Sequence, residues 1–141
     1  MASTEENRAL MRRYYDEVWQ NGNLAALDEF VAEDCVDHMP FPGQPPGRAG
    51  QVFAIGEILQ AFPGGDYTIE DLVAEGDRVV GRWTMHATHR GAIMGIAPTG
   101  KTVTMTGSDI IRWENGKASE VWHIEDVLGM LQQIGVIPTS S

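Results

Sequence analysis

The hydrophobic period of the chain changes once, near residue 66. Before that point apolar residues recur at three- and four-residue spacings. Met11, Tyr14, Tyr15 and Val18 follow Ser3 and Glu6, a pair spaced as a capping box, and Val52, Ile55, Ile58, Leu59 and Phe62 carry a second such stripe. These stripes predict a first helix ending near Asn21-Gly22 and another over residues 47–62, stopped by Pro63-Gly64-Gly65. Between them Asn23 can cap a short helix over 24–31, with Leu24, Leu27 and Phe30 or Val31 as its apolar side, and 35–39 reads as a strand. After residue 66 polar and apolar positions alternate, which predicts four consecutive antiparallel strands over 67–74, 78–89, 102–114 and 117–126, then a short helix or turn over 127–134. Glu75-Gly76-Asp77 supplies one hairpin turn, and Asn115-Gly116 suits a two-residue type I′ turn. The sum is an α+β domain: three helices, with a strand among them, packed on one face of a strongly bent antiparallel sheet. The concave side of such a sheet leaves room for a ligand.

The Asn115-Gly116 turn also predicts a register. Pairing Glu114 with Lys117 sets Trp113 opposite Ala118, Ile111 opposite Glu120, Asp109 opposite Trp122, Gly107 opposite Ile124 and Met105 opposite Asp126. Because side chains alternate, Met105, Asp109, Ile111, Trp122, Ile124 and Asp126 then share one face, and His123 turns outward. An apolar face holding two carboxylates must line a cavity or stay wet, since an unpaired buried charge is costly. Asp109 and Asp126 stand about 13 Å apart along the strand in this register, too far to share a proton. On 78–89 the inward face is Val79, Trp83, Met85, Ala87 and His89, with His86 outward.

Loops and composition narrow the chemistry. Four prolines in 40–46 make a stiff loop suited to a cavity rim, and Ile93, Met94 and Ile96 make the loop 90–100 too apolar for an idle surface, so it covers a cavity or a partner. At 141 residues the chain is expected to be a single domain, 1–141. A lone cysteine, Cys35, forbids an internal disulfide and a cysteine metal cluster. With no apolar leader and no run able to cross a bilayer, the expected location is the cytoplasm. A net charge of −10 argues against nucleic acid and anionic membranes and favours a neutral, apolar ligand. The four histidines fall at no metal-ligand spacing, so no metal is expected, and a Ser nucleophile elbow, a phosphate-binding Gly loop and a dinucleotide fingerprint are missing. An outer face of Val80, Thr84, Ile110 and Val121 predicts a homodimer or homotetramer.

Three segments, RRYYDEVWQNGNLAALDEFVAEDCVDH, EDLVAEGDRVVGRWTMHATHRGAIMGIAPTGK and GSDIIRWENGKASEVWHIEDVLGMLQQIG, together resemble the SnoaL-like polyketide cyclases (ester cyclases). These belong to the cone-shaped α+β superfamily that also holds nuclear transport factor two, ketosteroid isomerase and scytalone dehydratase. The resemblance implies an intramolecular aldol ring closure on a small, flat, hydrophobic polyketide ester, with no metal, no Schiff base and no cofactor. It carries the acid/base role to Asp126, four residues after Trp122. One carboxylate can serve both steps, removing a proton flanked by two carbonyls and returning it to the carbonyl oxygen under attack. An apolar wall of Met105, Trp122 and Ile124 would raise its pKa. The competing reading is that Asp126 only caps the helix starting at Val127. Expected substrate contacts are Tyr15, Trp19, His38, Trp83, His89, Met105, Asp109, Trp122 and Ile124. Gly107 and Ile111 flank Asp109 where epoxide hydrolases of the superfamily resemble an Asp-Arg-Asp arrangement, which disfavours epoxide opening. The alternatives are an isomerase or dehydratase, with Tyr15, His38 or His89 as a second polar group, and a non-catalytic binding or interaction domain.

Overall fold

The structure is a computed structural model that describes residues 2–139; residues 1, 140 and 141 of the expected domain lie outside that range. Helix α1 (Thr4–Tyr14) starts at the expected capping box, with Ser3 accepting from the Glu6 N–H and Glu6 accepting from the Ser3 N–H. It runs straight into a π-helical turn, Tyr15–Gln20. A 3-10 turn, Leu24–Ala26, and α2 (Leu27–Phe30) follow, and Asn23 makes no side-chain cap. Strand β1 (Val31–Asp37) begins earlier than its sequence suggests, since Val31 is already extended directly after Phe30, the last residue of α2. Helix α3 spans Gly47–Ala61. The strands β2 (Asp66–Glu75), β3 (Arg78–Thr88), β4 (Thr102–Glu114) and β5 (Lys117–Glu125) match the alternating pattern, and α4 (Val127–Gln133) closes the described chain.

The five strands form one curved sheet in the order β1-β5-β4-β3-β2, antiparallel except that β1 runs parallel to β5. The helices fill its concave side. Met11, Val18, Leu27, Phe30, Phe62, Val79, Met85 and Ile111 are all but inaccessible there. As expected, Val79, Trp83, Met85 and His89 are buried on the inward face of β3 and its end. In the loop 90–100, Ile93 is buried and bridges to Ile96 while Met94 is exposed, so one edge of that loop is part of the core.

The β4–β5 register departs from expectation. Asn115 and Gly116 both take positive φ, at 53° and 79°, as a type I′ turn requires, and Trp113 does pair with Ala118. One step further the ladder slips: Arg112 pairs with Glu120, leaving Ser119 as an extra residue whose hydroxyl donates to the Arg112 carbonyl at 3.3 Å. This is a β-bulge, and it turns over every side chain beyond it. The regular ladder would have set Glu120 against Ile111 in the core. With the bulge, Val121 takes that place, and Glu120 faces outward onto Arg112 at 3.1 Å. Val121, His123 and Glu125 therefore join Met105, Asp109 and Ile111 on the concave face. Trp122, Ile124 and Asp126 leave it.

The same flip corrects the outer face. Val121 points inward, and the apolar row across the convex side is Val73, Val80, Ile110 and Trp122. The Arg78 guanidinium lies 5.2 Å over the Trp122 ring, and His38 stacks on it at 4.6 Å.

Candidate active site

A pocket opens between the helices and the concave face. Its walls are mainly apolar, from Ala54, Ile55 and Ile58 on α3 to Met85, Met105 and Val121 on the sheet. Polar groups enter from three directions: Tyr15 from the π-helical turn, Asp37 from the end of β1, and Asp109, His123 and Glu125 from β4 and β5.

Asp109 is partly buried among them. Its Oδ2 accepts from the Tyr15 hydroxyl at 2.7 Å and from the Trp83 Nε1–H at 3.1 Å. Two glycines make those approaches possible. Gly81 pairs with Asp109 across β3–β4, and a Cβ there would stand 2.1 Å from the Tyr15 hydroxyl oxygen; Gly107 pairs with Trp83, and a Cβ there would stand 2.3 Å from indole Cζ2. Each ring lies where a side chain would otherwise be. The π-helical turn arranges the aromatic residues behind them: Tyr14 and Trp19, five apart, meet on one side, with Trp19 Nε1–H donating to the Tyr14 hydroxyl at 3.1 Å. Burial raises the Asp109 pKa from 3.8 to about 6, and the Glu125 charge adds to the shift, while Tyr15, His123 and Trp83 offset part of it. Both bonds fall on Oδ2, so Oδ1 has no protein donor among the described residues.

Directly across the β4–β5 pair from Asp109 stands His123. Its Nδ1 faces Glu125 Oε1 at 2.5 Å and its Nε2 faces Asp37 Oδ1 at 3.1 Å. Burial alone would lower the imidazole pKa, but the bonds to Asp37 and Glu125 outweigh it and raise the value to about 10, so the ring is a cation at neutral pH. Asp37 responds in the opposite sense. Burial opposes its charge, yet His123, the Gln44 and Gln51 amides and the Met39 N–H hold its carboxyl well below the ordinary range. Among the described residues no group of three or more His, Cys, Asp or Glu side chains is arranged to hold a metal ion. None of the described helices is long and apolar enough to cross a membrane.

Of the site residues expected from sequence, Tyr15, Trp19, Trp83, Met105 and Asp109 line this pocket. Five do not. Trp122 and His38 stack on the convex side, and Ile124 is 67% exposed there. His89 is fully buried away from the pocket, where its Nδ1 accepts from the Thr99 N–H at 3.2 Å and pins the loop 90–100. Asp126 is exposed and caps α4, accepting from the Gly129 N–H at 2.9 Å. The bulge at Ser119 is the reason for three of these displacements. Asp126→Ala should therefore cost about 1 kcal/mol of stability, the usual value of a helix cap, and leave ligand binding and turnover at the wild-type level; a chemical melt and a binding titration check both.

Asp37, Gln51, Tyr67, His123 and Glu125 line the pocket without having been expected there. For His123 and Glu125 a signal existed. The regular register buries Glu120 against Ile111, an uncompensated charge in a core, and a one-residue slip removes it while turning His123 and Glu125 inward.

Solved structures with the same fold are numerous. IdmH of Streptomyces antibioticus, a candidate polyketide cyclase, is 33% identical with a TM-score of 0.77, covering 92% of this chain and 99% of that one. A candidate polyketide cyclase of Bacillus cereus is 31% identical with a TM-score of 0.80, over 94% of this chain and 82% of that one. AclR of Streptomyces galilaeus, a candidate hydroxylase, is 28% identical with a TM-score of 0.85, over 99% and 87%. Curated protein sequences give no match. The family model of the SnoaL-like polyketide cyclases matches residues 9–134, nearly the whole of the fold described above, and the chain belongs to that family.

Proposed function

We propose that the protein is a cofactor-independent cyclase that closes a ring by intramolecular aldol addition on a neutral, flat polyketide ester, with Asp109 as the general acid and base. The observation that carries this reading is the Asp109 carboxyl itself: one oxygen is anchored by Tyr15 and Trp83, the other is free of protein donors, and its basicity is raised toward neutrality in an apolar pocket. A base is most effective when its pKa lies near the working pH. Oδ1 removes a proton from a carbon flanked by two carbonyls, the carbanion forms the new C–C bond to the ketone carbon, and the same proton returns to the resulting alkoxide. No redox step is involved, and the atoms balance within substrate and carboxyl. His123, cross-strand neighbour of Asp109, is a cation beside this carboxyl and offsets part of the negative charge that Glu125 presents to the forming enolate. With both ring nitrogens occupied by carboxylates, it holds its proton rather than exchanging it.

The reading is tested by offering the protein aromatic polyketide methyl esters bearing a 1,3-dicarbonyl carbon and a ketone within six-membered reach, and following an isomeric ring-closed product by mass spectrometry. kcat/KM should climb with pH to a plateau through an inflection near pH 6, the value given by the buried Asp109 carboxyl. A rate that is flat from about pH 4.5 to 8, or unchanged in Asp109→Asn, would sink it.

A further inference from the structure

Tyr67 takes no part in the proton transfer above, yet it lines the same pocket. It sits on the inward face of β2, paired with Met85 of β3. Its ring packs beside Trp19 at 5.6 Å and Trp83 at 6.2 Å between centroids. Gly65 gives it room, since a Cβ there would press to 3.3 Å from Tyr67 Cε1. The hydroxyl is buried and has no hydrogen-bond partner among the described residues. A buried hydroxyl without a partner costs free energy that a plain phenyl ring does not, so packing alone gives no reason for Tyr over Phe. Burial also pushes the phenol pKa up, so the group is a neutral O–H donor in need of an acceptor oxygen. Trp83 separates this donor from the base: its Nε1 is bonded to Asp109, and its ring meets Tyr67 edge-on. Tyr67 and the base thus both pack against one indole, the Tyr67 hydroxyl enclosed and without a partner among the described residues.

We infer that Tyr67 is a substrate-binding residue whose hydroxyl donates to a ketone or quinone oxygen of a flat polycyclic ligand, away from the carbon that Asp109 deprotonates. The location of the reacting carbon rests on the function proposed above; recognition of the oxygen requires no turnover. A ligand lacking that oxygen leaves the hydroxyl unpaired and loses about tenfold in affinity, the usual worth of one neutral hydrogen bond.

Two probes with the same three-ring framework, differing by the two quinone oxygens, test it: methyl anthraquinone-2-carboxylate and methyl anthracene-2-carboxylate, titrated against the tryptophan fluorescence of the wild type and of Tyr67→Phe. The wild type should prefer the quinone about tenfold, and Tyr67→Phe should lose that preference while binding the hydrocarbon ester as the wild type does. The variant should also melt at or above the wild-type temperature, because it removes an unpaired polar group. A wild type that does not prefer the quinone, a variant that keeps the preference, or a variant that fails to fold or melts several degrees lower would each overturn the assignment. Loss of cyclisation activity with an intact, Tyr67-dependent preference would reject the catalytic reading and leave this one standing.

Discussion

Asp109→Asn is expected to melt higher than the wild type at pH 8 while losing turnover. The asparagine carbonyl oxygen can take the place of Oδ2 and accept from both Tyr15 and Trp83, so the local geometry survives. What disappears is the charge. A carboxyl held at about 6 against 3.8 in the open chain is destabilising when ionised, by about 3 kcal/mol at most. The sign follows from linkage: the folded pKa is raised, so this group favours the folded state below the unfolded value of 3.8, and that advantage is lost as pH rises through about 6. The gap between Asn variant and wild type should therefore be largest above pH 6 and shrink toward pH 4 in urea melts followed across that range. Turnover, in contrast, should fall by about 10²- to 10⁴-fold on the plateau above pH 6, the usual share of a general base, and the gap should narrow at lower pH as the wild-type carboxyl takes up its proton. A residue that costs stability and carries the reaction is the pattern expected of a functional carboxyl rather than a structural one.

The second large effect is expected at His123. Replacing it by glutamine leaves Asp37 and Glu125 facing the pocket without the cation between them. His123 and Asp37 have side chains only 11% and 7% exposed, and breaking a buried pair from one side costs about 3–5 kcal/mol. The loss should be greatest just below about pH 6.5. The folded pKa of His123 is raised to about 10, so its contribution is complete below the unfolded value of 6.5 and is lost as pH rises through 10. Wild type and His123→Gln should thus converge in stability between pH 7 and pH 10. Asp37 acts at the other end: its folded pKa is lowered, so its contribution is present above 3.8 and lost as pH falls through the lower folded value. Because His123 also lowers the Asp109 pKa, the variant should move the inflection of the pH–rate curve upward, a shift that a purely structural lesion would not produce.

Most of the fold was legible because it follows from local chemistry. The Ser3–Glu6 box, the helical stripe ending at Phe62, the alternation after residue 66 and the Asn115-Gly116 turn are properties of short windows, and each appears where its residues place it. The pocket was legible only in part. Tyr15, Trp83, Met105 and Asp109 lie on strands or helix faces whose direction the period sets, and they line it. The bulge at Ser119 is a tertiary feature, set by burying Val121 and expelling Glu120, and it turns His123 and Glu125 into the pocket while Asp126 leaves that face. Asp37 and Gln51 reach the same pocket from β1 and α3 by long-range convergence, for which no local window carries a signal. Gly81 and Gly107 belong to the same class: nothing near them in sequence announces that Tyr15 and Trp83 need the space their side chains would fill.

The most direct test is a carbon-detected NMR titration of the Asp109 carboxyl, with Asp109→Asn as the assignment control. A pKa near 6 is the predicted result, showing a desolvated carboxyl poised to take a proton at neutral pH. A value near or below ~4 would mean a solvated or fully hydrogen-bonded carboxylate, and would contradict the assignment of Asp109 as the base.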